Sequence, residues 1–337
     1  MRFVVFGAGA VGGTIGARLF QSGHDVQLVA RGAHASALLR SGLRLRIPQS
    51  PEVRLPIPVF EDPSDLTLQG DEIVFLAVKS QDSKDALESL ATASQSDRLS
   101  IVCAQNGVEN ERLALRMYSN VYSMCVQVPG TLVEPGCVAT HSRSPLGILD
   151  VGRYPVGVDS TCEEIAGALS EAGFWSQTDP SIMQRKFTKL LVNLHNGLEA
   201  ICGFEARGST IAEQARAEAV ECFRAAGIAF DEPEEAAARV ANLQILPIDG
   251  VAYRGSSTWQ SVARGLDSTE VDYLNGEVVM LGRMHGVPTP VNSLIQRTVR
   301  ERVASRQAAG SLTLEEFSRA LASLRPYPDA DRDLETL

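Results

Sequence analysis

Three side chains in the stretch KFTKLLVNLHNGLEA, residues 186 to 200, have the types and spacing to do chemistry: Lys189, Asn193 and Asn196. Read as a helix at about 100° per residue, offsets of zero, four and seven return to nearly the same side, so the three form one polar stripe. An ammonium there can stabilise or protonate an oxygen that gains negative charge, and two carboxamides can hold a small polar ligand beside it. The same stripe would also serve as the solvated face of an amphipathic helix. Against that, Phe187, Leu190, Leu191, Val192, Leu194, Leu198 and Ile201 occupy most of the circumference, as in a largely buried helix. A buried ammonium needs a partner or a task.

A second constellation lies near the N-terminus, where FVVFGAGAVGGTIGARLFQSG sets Gly7, Gly9 and Gly12 as G-x-G-x-x-G between a strand and a helix. Gly7 permits the turn, Gly9 lets backbone approach a pyrophosphate, and Gly12 allows close packing of helix on sheet. The run Gly7, Ala8, Gly9, Ala10, Val11, Gly12 is therefore the expected cofactor-binding turn. A purely structural glycine turn would read the same locally; the strand DVQLVA at the expected distance favours the nucleotide. An acidic residue ending that strand would take the ribose hydroxyls of NAD. The chain has Arg31 there instead, which points to NADP unless it is an ordinary surface arginine. Two more loops come after strands at the expected carboxyl edge. FLAVKSQD puts Lys79 at a phosphate or at the mouth of the cleft, and CAQNGVEN puts Asn106 beside nicotinamide or substrate; each also suits plain turn chemistry.

The elements that must position these residues are legible in outline. Strand-like runs RFVVFG, DVQLVA, EIVFLAVK, LSIVCAQ and VYSMCVQV are interspersed with helical segments such as Val11 to Ser22 and Asp82 to Ala91. That is the rhythm of a parallel α/β sheet covered on both faces. CVATHS and LGILDVG read as further strands, an antiparallel extension. After QTDPS, helical periodicity takes over at 182–202, 210–227, 233–244, 269–285, 291–308 and 314–323. The expected organisation is an α/β Rossmann-type domain at 1–179, an all-α domain at 180–325 opened by Pro180, and an acidic, proline-bearing, frayed tail at 326–337.

The bulk properties narrow the class. A chain of 337 residues is long enough for two domains with cores of their own. A net charge of -10 argues against nucleic acid or an anionic membrane as partner, and no apolar run approaches a membrane span. The glycines of MRFVVFGAGAVGG suit a strand and turn better than a signal peptide, so a cytoplasmic protein is expected. Six cysteines without a CxxC, and five histidines without HxxxH or HExxH, indicate neither a disulfide framework nor a metal site.

Taken in order, GAGAVGG, ARGAH, AVKSQD, QNGVEN, KLLVNLHN and SSTWQSVARGLDSTEVDYLNGEV resemble the ketopantoate reductase (2-dehydropantoate 2-reductase) family over nearly the whole chain. The resemblance implies a Rossmann domain followed by a helical domain like that of 6-phosphogluconate dehydrogenases. It also implies NADPH-dependent reduction of the 2-oxo acid 2-dehydropantoate to pantoate, on the route to pantothenate. It carries the family's catalytic lysine onto Lys189, as general acid, and the neighbouring substrate-holding asparagine onto Asn193. The QNG-loop asparagine falls on Asn106, the supporting glutamate on Glu270 and the substrate-binding serine on Ser257, with Asn196 a candidate for a second asparagine. Read alone, DSTE is a capping box with Asp267 as cap and Glu270 at N3, a role that can coexist with the catalytic one. The helix bearing Lys189 is expected to line an interdomain cleft, and analogy leaves a homodimer open.

Two spacings differ from pantoate-forming members. NLHNGL is one residue shorter than their N…NPL run, and the segment from Ser257 to Glu270 is one residue longer. Both fall where substrate contacts are expected, so another 2-oxo acid or an imine stays open as substrate, and a non-catalytic NADP-binding regulator is the rival from another class.

Overall fold

The structure, a computed structural model, describes residues 1–324 except 67, 95, 97 and 254. The tail expected at 326–337 lies outside the described residues. The strands are β1 (Arg2–Phe6), β2 (Asp25–Val29), β3 (Leu43–Arg46), β4 (Val53–Leu55), β5 (Val59–Phe60), β6 (Ile73–Leu76), β7 (Ser100–Cys103), β8 (Asn120–Gln127), β9 (Gly130–Glu134), β10 (Cys137–Thr140) and β11 (Ile148–Arg153). Seven form one sheet in the order β11-β8-β7-β6-β1-β2-β5, parallel throughout except that β11 runs antiparallel to β8.

The apolar runs of the sequence are explained by burial on both faces of this sheet. Phe3, Val5, Phe75 and Val102 join one core cluster, while their neighbours Val4, Val74, Leu76 and Ile101 join another. The first cluster takes Ile15, Ala17 and Leu19 from α1 (Ala10–Gln21), Ala35 and Leu38 from α2 (Gly32–Ser41), and Ile165 and Leu169 from a helix at Ser160–Glu171. The second takes Ala86, Leu87 and Leu90 from α3 (Ser83–Ser94) and Ala114 from α4 (Asn110–Leu115). The helix at Ser160–Glu171 is α5.

Chain direction across the sheet reverses between β1 and β6, since β2 lies on one side of β1 and β6 on the other. Such a switch point opens a crevice at the carboxyl ends of the strands. LGILDVG is the antiparallel edge that the sequence suggests. CVATHS is not: as β10 it belongs to a second sheet, order β4-β3-β10-β9, whose other strands are too short to stand out in the sequence.

The remaining helices are α6 (Ile182–Asn193), α7 (His195–Cys202), α8 (Thr210–Ala225), α9 (Pro233–Val240), α10 (Ser257–Ala263), α11 (Asn275–His285), α12 (Pro290–Ala304) and α13 (Leu314–Ala322). No helix among the described residues is long and apolar enough to cross a membrane. Leu198, Ile201, Ile211, Val271, Leu294, Ile295 and Phe317 form a separate helical core. The continuous helix expected over 182–202 is interrupted at Leu194. That over 269–285 begins instead as a 3₁₀ turn, Glu270–Tyr273, before α11.

Two units result: Met1–Lys186 with Asp231–Tyr253, and Phe187–Phe230 with the chain after Tyr253. The single boundary expected between 179 and 180 does not contain this return of 231–253 to the first unit. Ion pairs and hydrogen bonds hold the returning segment. Asp231 accepts from Gln184 Nε2 at 2.8 Å and from Arg185 Nη1 at 3.1 Å, and Arg185 Nε also reaches Asp179 at 2.9 Å. Arg239, on α9, donates Nε to Asp150 of β11 at 2.7 Å and lies 4.2 Å over the Trp175 ring, while Leu246 N donates to His141 O at 2.7 Å.

Asp150 is 3% exposed at its side chain, so removing its partner leaves an uncompensated buried charge. Arg239→Ala should lower unfolding free energy by about 3–5 kcal/mol, the typical cost of breaking a buried pair from one side. A urea midpoint matching that of the parent protein would refute this role.

Candidate active site

The glycine turn is a consequence of close packing. Gly7 has φ +105°, and a Cβ there would lie 2.7 Å from Val78 N; a Cβ on Gly12 would lie 2.9 Å from both Ala77 Cβ and Val5 Cγ1. Only glycine lets the backbone after β1 and the start of α1 come this near the chain after β6. Gly9 differs, because a Cβ there meets nothing within 4 Å. Gly9 caps α1 without a side-chain hydrogen bond, and the first turn, which includes Ala10, Val11 and Gly12, carries no acidic residue. Backbone N–H groups at an uncapped helix start, reached over a bare glycine, fit a phosphate anion.

Ala8 is buried, and its carbonyl contacts His34 Nε2 at 2.8 Å, while His34 Nδ1 accepts from Gly136 N at 3.0 Å. The backbone N–H can only donate, so Nδ1 is the acceptor and the imidazole is the neutral Nε2–H tautomer. Burial pushes the His34 pKa below its ordinary value, opposed in part by the bond to Ala8. His34 is not among the candidates that the sequence suggests, although it sits in the ARGAH run.

The other predicted residues of this unit collect at the same edge. Arg31 is largely exposed and pairs with Asp82 Oδ1 at 2.8 Å, joining the end of β2 to the loop after β6. Lys79, half-buried, precedes a 3₁₀ turn at Ser80–Asp82. Asn106, also half-buried, accepts at its carbonyl from Asn110 Nδ2 at 3.1 Å and from Ser80 Oγ at 3.4 Å. Gln105 Nε2 donates to Val78 O and Ser83 Oγ, each at 2.7 Å, and Ser83 Oγ donates to Asn110 Oδ1 at 2.9 Å. Gln105, Ser83 and Asn110 thus bind the Lys79 and Asn106 loops together. They are not among the sequence candidates, because nothing local distinguishes a buried polar brace from loop polarity.

In the helical unit, Lys189 and Asn193 lie half-buried on α6, while Asn196, on α7, is 6% exposed. Two lysines of KFTK therefore have different fates. Lys186, 4% exposed and assigned to the first unit, is ion-paired with fully buried Glu111 of α4. The stripe is divided at Leu194, which keeps helical dihedrals (φ −62°, ψ −29°) and donates to Leu190 O at 3.1 Å but ends α6.

Ser257 opens α10, a helix absent from the periodicity of the sequence, and the cap is Ser256, whose Oγ accepts from Trp259 N at 3.3 Å. Ser256 is held on α7: its N donates to Glu199 Oε1 at 3.2 Å and its Oγ to Asn196 O at 3.5 Å. Glu199 is fully buried, and its Oε2 accepts both Arg207 Nε and Nη2 at 2.8 Å. Glu199 joins the Asn196 and Ser257 segments, another role invisible from sequence. Glu270 is 5% exposed and begins its 3₁₀ turn with Thr269 preceding it. The capping box read from DSTE does not form, since Asp267 pairs with Arg306 at 3.3 Å and the helix it would cap starts later, at Asn275.

Sheet order, glycine turn and helical second unit define a two-unit protein of Rossmann type. Residues 3–155 match the family model described as Ketopantoate reductase PanE/ApbA, and residues 181–303 that described as Ketopantoate reductase PanE/ApbA C terminal. The chain belongs to the ketopantoate reductase family. The 2-dehydropantoate 2-reductase of Archaeoglobus fulgidus is 30% identical over 308 residues, covering 89% of this chain and 97% of that one. That of Pyrococcus horikoshii is 26% identical over 310 residues, with the same coverages. A PanE/ApbA family ketopantoate reductase from Ralstonia eutropha JMP134 superposes with a TM-score of 0.76 at 28% identity, over 91% of this chain and 99% of that one. The fold is also that of a D-mandelate dehydrogenase solved with NADH and anilino(oxo)acetate, with a TM-score of 0.77 at 24% identity, covering 91% and 99%.

The neutral His34 gives the glycine turn a pH dependence. A depressed folded-state pKa means that the unfolded chain binds more protons below about pH 6.5, so this contribution is complete above that pH and is lost as pH falls below it. His34→Gln should be less stable than the parent at pH 8, and the gap should narrow toward pH 5 in chemical denaturation. A gap independent of pH would remove His34 from this role.

Proposed function

We propose that this protein reduces 2-dehydropantoate to pantoate with NADPH, with Lys189 as the proton donor. The observation that carries the reading is the near full-length match to relatives named 2-dehydropantoate 2-reductase, together with a lysine and an asparagine one turn apart on α6.

A bound dinucleotide supplies the hydride. The chain's part is to bind it and to manage charge on the ketone. The start of α1 receives the pyrophosphate at Gly9, Ala10 and Val11. Arg31 receives the 2′-phosphate, exchanging its pairing with Asp82 for a doubly charged oxyanion, while Lys79 and Asn106 serve the same ligand from their braced loops. As hydride reaches the carbonyl carbon, negative charge grows on its oxygen, and the Lys189 ammonium neutralises it and then gives up a proton. Asn193, Asn196 and Ser257 hold the rest of the 2-oxo acid through donors that match its carboxylate and hydroxyl oxygens. Glu270 orients the ammonium and accepts from a substrate hydroxyl.

NADPH oxidation with ketopantoate and a panel of 2-oxo acids tests the substrate: turnover confined to another acid would move the assignment, and tight dinucleotide binding without any turnover would end it. Lys189→Ala should lower kcat by roughly 10²–10⁴, the usual worth of a general acid, with dinucleotide affinity nearly intact. Parent-level turnover in that variant would exclude the lysine. Arg31→Ala should weaken NADPH at least tenfold more than NADH, whereas an unchanged ratio of the two KM values would reject the 2′-phosphate role.

A further inference from the structure

The break at Leu194 falls between the two asparagines of the stripe, and another buried asparagine bonds to the backbone at that point. Asn275, the first residue of α11, is fully buried, and its Nδ2 donates to Leu194 O at 3.0 Å. In an uninterrupted helix that carbonyl would accept from the N–H of Leu198, and a side chain inserted into the ladder is a recognised cause of kinks. The other Nδ2 proton goes to Asn292 Oδ1 at 3.0 Å. Asn292, also fully buried, donates Nδ2 to Ala215 O at 2.8 Å and to Glu218 Oε2 at 2.7 Å. Glu218 in turn accepts Val291 N at 2.8 Å and Asn292 N at 3.0 Å, so the chain of amides is anchored at the start of α12 by a carboxylate that can only accept.

The fit leaves no slack. A Cβ on Gly197 would lie 2.8 Å from Asn275 Oδ1 and 2.6 Å from Ile295 Cγ2, so the residue after Asn196 must lack a side chain for Asn275 to reach the break. Asn275 also lies just beyond the Glu270–Tyr273 turn in the chain. One amide therefore connects the segment from Asn193 to Asn196 with the segment carrying Glu270.

We propose that Asn275 is a positioning residue of this reductase: by holding open the helix at Leu194, it sets the mutual placement of Lys189, Asn193, Asn196 and Glu270. The proposal rests on the functional reading given above for those four groups. It assigns no chemistry to Asn275 itself, which acts through the geometry of α6 and α7. A displacement of about 1 Å in a reacting group can cost on the order of 10²-fold in rate.

The test compares Asn275→Ala, which removes both donors, with Gly197→Ala, which crowds the same contact from the opposite side. Both should raise KM for the 2-oxo acid and lower kcat, for a combined loss in kcat/KM of about tenfold to a hundredfold. Dinucleotide affinity, read by fluorescence titration, should stay within about twofold, which a generally loosened fold would not allow. Amide exchange over residues 190–200 should quicken in both variants, a readout that does not need turnover. Either variant, folded at the assay temperature with kinetic constants and exchange like the parent's, would overturn the proposal. If the parent itself reduces no 2-oxo acid, the catalytic reading falls, and unchanged exchange over 190–200 would then reject the hold on Leu194 separately.

Discussion

The constraint on which the first unit depends is the close approach of α1 to the sheet. A helix cannot start directly off the end of β1, beside the chain after β6, unless Gly7 and Gly12 present no side chain at the points of contact. Once that packing is fixed, the uncapped start of α1 faces the switch point between β1 and β6 with Gly9 bare beside it. The surrounding polar braces answer a simpler requirement: loops this near a buried sheet edge must satisfy their own hydrogen-bonding groups. His34 meets it for Ala8 and Gly136, and Gln105, Ser83 and Asn110 meet it for the two loops beyond.

The helical unit solves a different problem with the opposite kind of residue. Its ligand groups are proposed to be side chains rather than backbone, and side chains are only as well placed as the helices beneath them. Buried polar residues supply that placement: Glu199 holds the start of α10 against α7, and the amides of Asn275 and Asn292 fix the turn from α6 to α7. Each is costly to bury and is stabilising only because its partners are complete. Asn275 Oδ1 is the exception, a buried acceptor with no hydrogen-bond partner among the described residues.

Legibility in the sequence depends on the range of the physics involved. The glycine turn and the parallel strands are local or doubly buried, so spacing and apolar runs reveal them. The second sheet escapes because its strands have three to five residues, too few for alternation to be readable, and CVATHS is therefore attached to the wrong sheet. The return of 231–253 escapes because Arg239 and Asp150 are 89 residues apart, and a surface-like charge pattern does not say which charges are buried. The capping box read at DSTE obeys every local rule; the folded chain places Asp267 opposite Arg306 and begins α11 only at Asn275. The stripe of Lys189, Asn193 and Asn196 is recognisable as a polar face, but its break is not, since the side chain bonded there, Asn275, is 81 residues from Leu194.

This contrast separates what each unit requires of its sequence. The close approach of α1 to the sheet depends on Gly7 and Gly12, and the same fold is found at 24% identity in a D-mandelate dehydrogenase. The proposed placement of Lys189, Asn193 and Asn196 rests instead on particular buried partners, such as Asn275 at Leu194 within the NLHNGL run. A change of one residue in that segment rotates the remainder of a helix by about 100°. At Leu194 the carbonyl accepts from Asn275 Nδ2 while the backbone dihedrals stay helical. The proposed substrate contacts of Asn193 and Asn196 thus lie on either side of a residue whose carbonyl is held by Asn275.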